Sequence, residues 1–205
     1  MTAILKVDTI QDTSGNNIIN ESSDTITIGA SGDTVNVIGT LQNNGSALAF
    51  GSLTQADQWR LTADTNQNTT GFVTSNWERV DTDGFGKIGT GLTESSGVFS
   101  FPSTGIYLIT GFANMDVDGG DTNAVWELYT TPDNASYDIA AAMGTGEGSG
   151  TGIRSLATII FQLDVTNTTN VKFKWATSGF ASSTQLRGNT ALNETCFSCI
   201  RLGDT

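Results

Sequence analysis

Few side chains in this 205-residue sequence are equipped for chemistry. With no histidine anywhere, Ser-His-Asp and Cys-His catalysis, histidine-ligated metals and histidine pH switches are closed to it. Cys196 and Cys199 have the Cys-x-x-Cys spacing of a redox dithiol or half a zinc site. Neither suits the context. Zinc needs four ligands and the chain has 2 cysteines, while a redox pair needs a βαβ setting that is missing here. On a strand, residues three apart point to opposite faces, so both are read as buried, unpaired thiols.

Asp116, Asp118 and Asp121 lie in MDVDGGDT, an oxygen-rich, glycine-containing stretch of the kind that holds Ca²⁺. The spacing is not that of an EF-hand, and a solvated turn produces the same composition. Calcium is nonetheless the one cofactor these residues point to. Asp81 and Asp83 in VDTDG read as a turn. The run MGTGEGSGTG from Met143 lacks the lysine of a phosphate loop and reads as a flexible connection between strands. Trp77, Trp126 and Trp175 could stack on sugars, but on strands such rings more often fill the core. No carboxylate pair is assignable to glycosidase work, no catalytic residue is nominated, and the chain is expected not to be an enzyme.

The elements that must position these residues are strands. Thr is counted 32 times, Gly 24 and Pro 2, a composition that favours pleated strands and tight turns over linker or helix. The formal charge of −12 opposes binding to phosphate backbones and anionic lipid, so neither nucleic acid nor membrane is an expected partner. The opening MTAILKVDTI has neither a basic start nor a long apolar run, and no signal peptide or membrane span is expected from it.

Three stretches are distinguished. Residues 1–51 have no aromatic residue before Phe50 and only scattered aliphatic residues, too few for a core. Within them DTITIGASG is followed by DTVNVIGTL, a quasi-repeat that aligns Ile26 and Ile28 with Val35 and Val37. Alternation puts the four aliphatics on one face of a ribbon, which needs a partner to be stable. The cheapest partner is the same segment of other copies, so Ile26, Ile28, Val35 and Val37 are candidates for the interface of a symmetric oligomer, a trimer if the resemblance given below holds. Residues 52–75 read as a connector, with Thr54 and Asp57 spaced as a capping box. Residues 76–205 read as strand after strand, the clearest being 97–101, 106–112, 124–129, 153–163, 171–175 and 195–202. Val171, Phe173 and Trp175 alternate with Lys172 and Lys174, giving one core face and one wet face. LATIIFQL from Leu156 is apolar on both faces, which makes Ile160 and Phe161 further interface candidates. The fold class is all-β: a β-rich self-associating segment followed by a sandwich or jelly roll, which the resemblance below narrows to a trimerising segment and a jelly-roll sandwich.

GVFSFPSTGIYLITGF, from Gly97 to Phe112, resembles the Phe-x-x-Pro-x-x-Gly-x-Tyr strand pair of the complement-type globular head, the trimeric jelly roll shared with tumour necrosis factor. TCFSCIRL from Thr195 resembles that family's closing strand, and LDVTNTTNVKFKW from Leu163 its Gly-Asp-x-Val block. Asn170 stands where the family commonly has Asp, and Cys199 where its last strand commonly has Gly. ILKVDTIQDTSGNNIINESSDTITIG, NNGSALAF and ADQWRLTADT are similar to the opening of fibre and appendage proteins of tailed bacteriophages, especially those of marine bacteria. These resemblances imply a homotrimeric virion protein, a tail fibre or appendage. Its N-terminal segment would engage other virion proteins, and its distal knob a glycan or protein of the host surface. A capsid decoration or head-vertex fibre without receptor duty is the alternative they leave open.

Overall fold

The computed structural model describes residues 9–11, 13–15, 17–22, 25–28, 31–38, 42–43 and 46–47, and residues 53–205 except 83, 119–120, 122 and 147–152. Every regular element among them is a strand, and none of them forms a helix long and apolar enough to cross a membrane. The chain divides into two compact units, Met1–Ser52 and Leu53–Thr205. The first contains β1 (Thr9–Gln11), β2 (Asn17–Ser22) and β3 (Thr25–Ile28) in one antiparallel sheet, and a small hairpin of β4 (Gln42–Asn43) and β5 (Ser46–Ala47). The two halves of the quasi-repeat do not pair with each other, as the ribbon reading required. β3 pairs instead with β2, Ile28 opposite Ile19 and Ile26 opposite Glu21, while residues 33–38 form no strand. Ile26, Ile28, Val35 and Val37 are all exposed within the single chain.

The second unit is a sandwich of two antiparallel sheets. Its strands are β6 (Ala56–Leu61), β7 (Gly71–Phe72), β8 (Trp77–Arg79), β9 (Thr93–Ser95), β10 (Val98–Ser100), β11 (Gly105–Val117), β12 (Ala124–Thr131), β13 (Asp138–Thr145), β14 (Ile153–Val165), β15 (Lys172–Ser178), β16 (Gln185–Leu186) and β17 (Cys196–Gly203). One sheet runs β13-β12-β15-β10-β9, with β7 beside β15, and the other β14-β11-β17-β6-β8, with β16 beside β11. The chain changes sheet from β10 to β11, β11 to β12, β13 to β14 and β14 to β15, which is jelly-roll wiring. The expected connector gives way here. Trp59 and Leu61 on β6 face inward with period two, and β6 lies between β17 and β8 in the middle of a sheet. Asp57 caps no helix.

Both sheets supply the aromatic core. Phe99 on β10 stacks on Phe173 of β15 at 5.0 Å and receives the edges of Trp59, Trp77 and Phe197 from the opposite sheet at 5.5, 5.4 and 4.8 Å. Trp126 and Trp175 stack at 4.7 Å and 6°. With Trp77 they are buried, so the three rings present no sugar platform. The Phe-x-x-Pro-x-x-Gly-x-Tyr block acquires a physical reading. Phe99 is the centre of the core, and Pro102 follows the end of β10. Gly105 holds φ at +140° where a Cβ would lie 2.5 Å from the Gly203 carbonyl oxygen. Tyr107 turns inward and donates its hydroxyl to the Ser103 carbonyl at 3.0 Å.

Candidate association face and its charge network

β14 is a 13-residue edge strand, and its side chains alternate strictly. Ala157, Ile159 and Val165 are buried, and Phe161 and Leu163 pack against the core. Leu156 and Ile160 point the other way and are 73% and 68% exposed. Of the two residues the sequence singled out here, Ile160 is therefore available to a partner, whereas Phe161 belongs to the core. The pleat extends the face across the sheet. On β11, Phe112 lies opposite Thr158, Thr110 opposite Ile160 and Leu108 opposite Gln162; on β17, Ile200 lies beside Leu108. Natural sheets protect long edges with charge, proline, bulges or cover. The outward residues of β14 between Leu156 and Gln162 carry no charge, and the strand pairs with β11 over its full length without a register shift.

At the far side of this sheet the same face is polar and closed by ion pairs. Arg60, 1% exposed, donates to Glu78 at 2.7 Å, Asp81 at 3.0 Å and Thr82 at 2.9 Å. It forms the floor of a recess of about 320 Å³ that Val80, Phe85 and Leu192 rim. On the core side Asp57 accepts from Arg79, from the Trp59 indole at 3.0 Å and from the Leu92 amide at 2.8 Å, with Arg79 lying over the Trp59 ring at 4.7 Å. Two buried charges are thus each met by opposite charge and by neutral hydrogen-bond partners, which is what keeps them inside. Both groups act as clamps on β6 and β8.

The three aspartates considered for calcium serve different neighbours. Asp116, on the outer face of β11, pairs with Arg154 at 3.0 Å and Arg187 at 3.4 Å. Arg187 also pairs with Asp64, and Arg154 with Glu194 at 3.1 Å. Asp118 donates its amide to the Thr184 hydroxyl at 3.1 Å. Asp121 is buried and accepts the amides of Ala181 at 2.8 Å and Ser182 at 3.0 Å. Burial alone would raise its pKa, but hydrogen bonds from Thr184, Ala181 and Ser182 outweigh this and hold the carboxyl below its ordinary value. Among the described residues no group of three or more Cys, Asp or Glu is placed to hold a metal ion. The trio is a loop anchor and part of a surface ion-pair network. Of the glycine-rich run, residues 147–152 lie outside the described residues, while Met143 to Thr145 end β13.

Cys196 and Cys199 are buried, free and on opposite faces of β17. Burial raises the Cys196 thiol to about 12, an effect the nearby Arg60 only partly offsets, and burial raises Cys199 further, aided by Asp57. Thiolate chemistry is shut off at both.

No family model matches the sequence, and no curated protein does. Solved structures match by fold. The tumour necrosis factor Eiger from S. frugiperda superposes with a TM-score of 0.55 at 13% identity, covering 75% of this chain and 96% of that one. Murine APRIL at pH 5.0 gives 0.51 at 12%, covering 72% and 98%. The PRD1 vertex protein P5 gives 0.43 at 16%, covering 75% and 100%. The second unit is therefore a jelly roll of the tumour-necrosis-factor type.

Proposed function

We propose that the chain is a homotrimeric structural protein of a phage particle, a tail fibre or appendage. Residues 53–205 form its distal head for host-surface attachment, and residues 1–52 its virion-proximal, trimerising segment. The observation that carries this reading is the exposed apolar row on β14, Leu156 and Ile160, continued by Phe112, on a long edge strand whose outward residues from Leu156 to Gln162 carry no charge. An isolated chain would expose a template for aggregation, and a closed symmetric assembly removes it. The count of three comes from the jelly-roll resemblance, and the virion setting from the N-terminal sequence words. The exposed Ile26, Ile28, Val35 and Val37 support a second zone of association in the N-terminal unit. Its work is binding, not catalysis: three linked heads turn weak contacts into avidity when they engage together.

The test is to decorate phage particles with antibody against residues 53–205 and image them. Label at the tail supports attachment. Label confined to the head favours the second reading, a capsid decoration or head-vertex fibre, and absence of label from purified particles contradicts both.

A further inference from the structure

The opposite sheet carries a different kind of surface. β15 sends Lys172 and Lys174 outward, alternating with the core residues Phe173 and Trp175. Lys172 lies between Ser100 of β10 and Thr131 of β12, and Lys174 between Val98 and Tyr129. The Lys174 ammonium sits 4.0 Å from the Tyr137 ring centre and 4.6 Å from that of Phe72, which meets Tyr129 edge-on at 5.0 Å. Lys172 borders an open pocket of about 300 Å³ whose other walls are the neutral hydrogen-bonding residues Thr93, Ser95, Ser100 and Asn134, the apolar Val98, and Glu94.

The charge arrangement is the unusual feature. The chain has 21 acidic residues against 9 basic ones, and all five arginines, Arg60, Arg79, Arg154, Arg187 and Arg201, pair with a carboxylate. Among the described residues neither Lys172 nor Lys174 forms an ion pair, although acids outnumber bases more than twofold. Glu94, the one carboxylate in the pocket wall, already accepts the Gly97 amide at 2.6 Å. Asn134 and Tyr137 are carried by a braced turn, in which Asp133 accepts from Thr131 at 2.9 Å, Ala135 at 2.9 Å and Ser136 at 3.2 Å. A preformed wall loses little entropy when a ligand docks.

We propose that this face binds an acidic saccharide, a sugar chain bearing carboxylate or sulfate groups. Lys172 would take the anionic group, the hydroxyl and amide walls would hydrogen-bond ring hydroxyls, and Phe72, 40% exposed, would offer an apolar edge to the sugar's carbon face. Two cations on a chain of net charge −12 suit a ligand of sparse negative charge and oppose a nucleic acid, whose dense phosphates demand many more. The inference rests on the reading of residues 53–205 as an attachment head and adds the surface and the ligand chemistry.

The experiment uses the full chain on a biosensor, with immobilised polyuronate, dextran sulfate and neutral dextran as probes, and solution mass measured on the same samples. Binding to at least one acidic polymer but not to neutral dextran is expected, weakening as salt rises. Lys172→Gln, outside the ring cluster, should weaken binding by about tenfold or more at unchanged mass. Lys87→Gln, a lysine that does not line the pocket, should leave it alone. The polyuronate and dextran sulfate arms separate carboxylate from sulfate recognition. No binding to either acidic polymer, equal binding to neutral dextran, or equal binding by Lys172→Gln and the unaltered chain would overturn the proposal. A monomeric mass with saccharide binding intact would instead overturn the assembly and leave this site standing.

Discussion

Replacing Ile160 with Asp separates assembly from folding, because β14 places adjacent residues on opposite faces. Burying a Leu or Ile side chain completely stabilises by about 1.5–3 kcal/mol. With Leu156 73% and Ile160 68% exposed in the lone chain, covering each contributes roughly 1–2 kcal/mol per copy to association. Ile160→Asp removes one such share and leaves a carboxylate facing an apolar partner, at a cost of several kcal/mol more. The sum is about 4 kcal/mol or more per contact, near a thousandfold in its association constant. Light scattering of residues 53–205 over a dilution series should show the variant as monomer where the unaltered unit is assembled, with far-ultraviolet circular dichroism still that of a β protein. Phe161→Asp should behave differently: its side chain packs against the core, so the variant should misfold or aggregate. An Ile160→Asp variant of residues 53–205 with unchanged mass at every dilution would refute the proposed face, and equal behaviour of the two variants would refute the strand's orientation.

Gly111→Ala should destabilise the head without touching its surface. The added Cβ would lie 2.4 Å from the Trp175 ring, which is held against Trp126 and has no room to retreat. A cost of about 1–3 kcal/mol is expected, a fall in Tm of roughly 2–4 °C per kcal/mol, and an unchanged calorimetric Tm would contradict the packing. Thiol reagents at neutral pH should leave Cys196 and Cys199 unmodified until denaturant unfolds the chain, since burial raises Cys196 to about 12 and Cys199 beyond it; rapid labelling of the native protein would count against the placement of β17. Asp121 has a folded pKa below its unfolded value, so its contribution is present above the unfolded value near ~3.9 and is lost as pH falls through the folded one. Asp121→Asn should therefore lower stability at neutral pH and flatten the acid dependence of the urea midpoint; parallel midpoint curves for the two proteins would show that the carboxylate is not the anchor.

The parts of the fold visible in the sequence are those where a two-residue period survives. Val171, Phe173 and Trp175 alternating with lysines announced β15, and LATIIFQL announced a strand with two apolar faces. What escaped was decided by distant partners. β6 was hidden because Asp57 occupies an inward position, tolerable only because Arg79 and the Leu92 amide close on it from elsewhere in the chain. β13, with Ala140, Ala141 and Ala142 in succession, shows no alternation, and only its ladder with β12 makes it a strand. The aspartates of MDVDGGDT looked alike in sequence, yet Arg154 and Arg187 claim Asp116, and the 181–184 loop claims Asp121. The two lysines of the proposed saccharide face were already evident as the wet side of β15. That neither forms an ion pair among the described residues is a property of the fold and has no sequence signal.

The central claim is that this jelly roll works as a closed assembly of three. Its most direct test is the mass in solution, by light scattering, of the full chain and of residues 53–205, the unit that carries its own core. Three times the 21.5 kDa of one chain for the full protein, and a trimer of the shorter one, is the predicted result. Monomers in both would contradict the account, leaving the apolar row on β14 without a partner of its own kind.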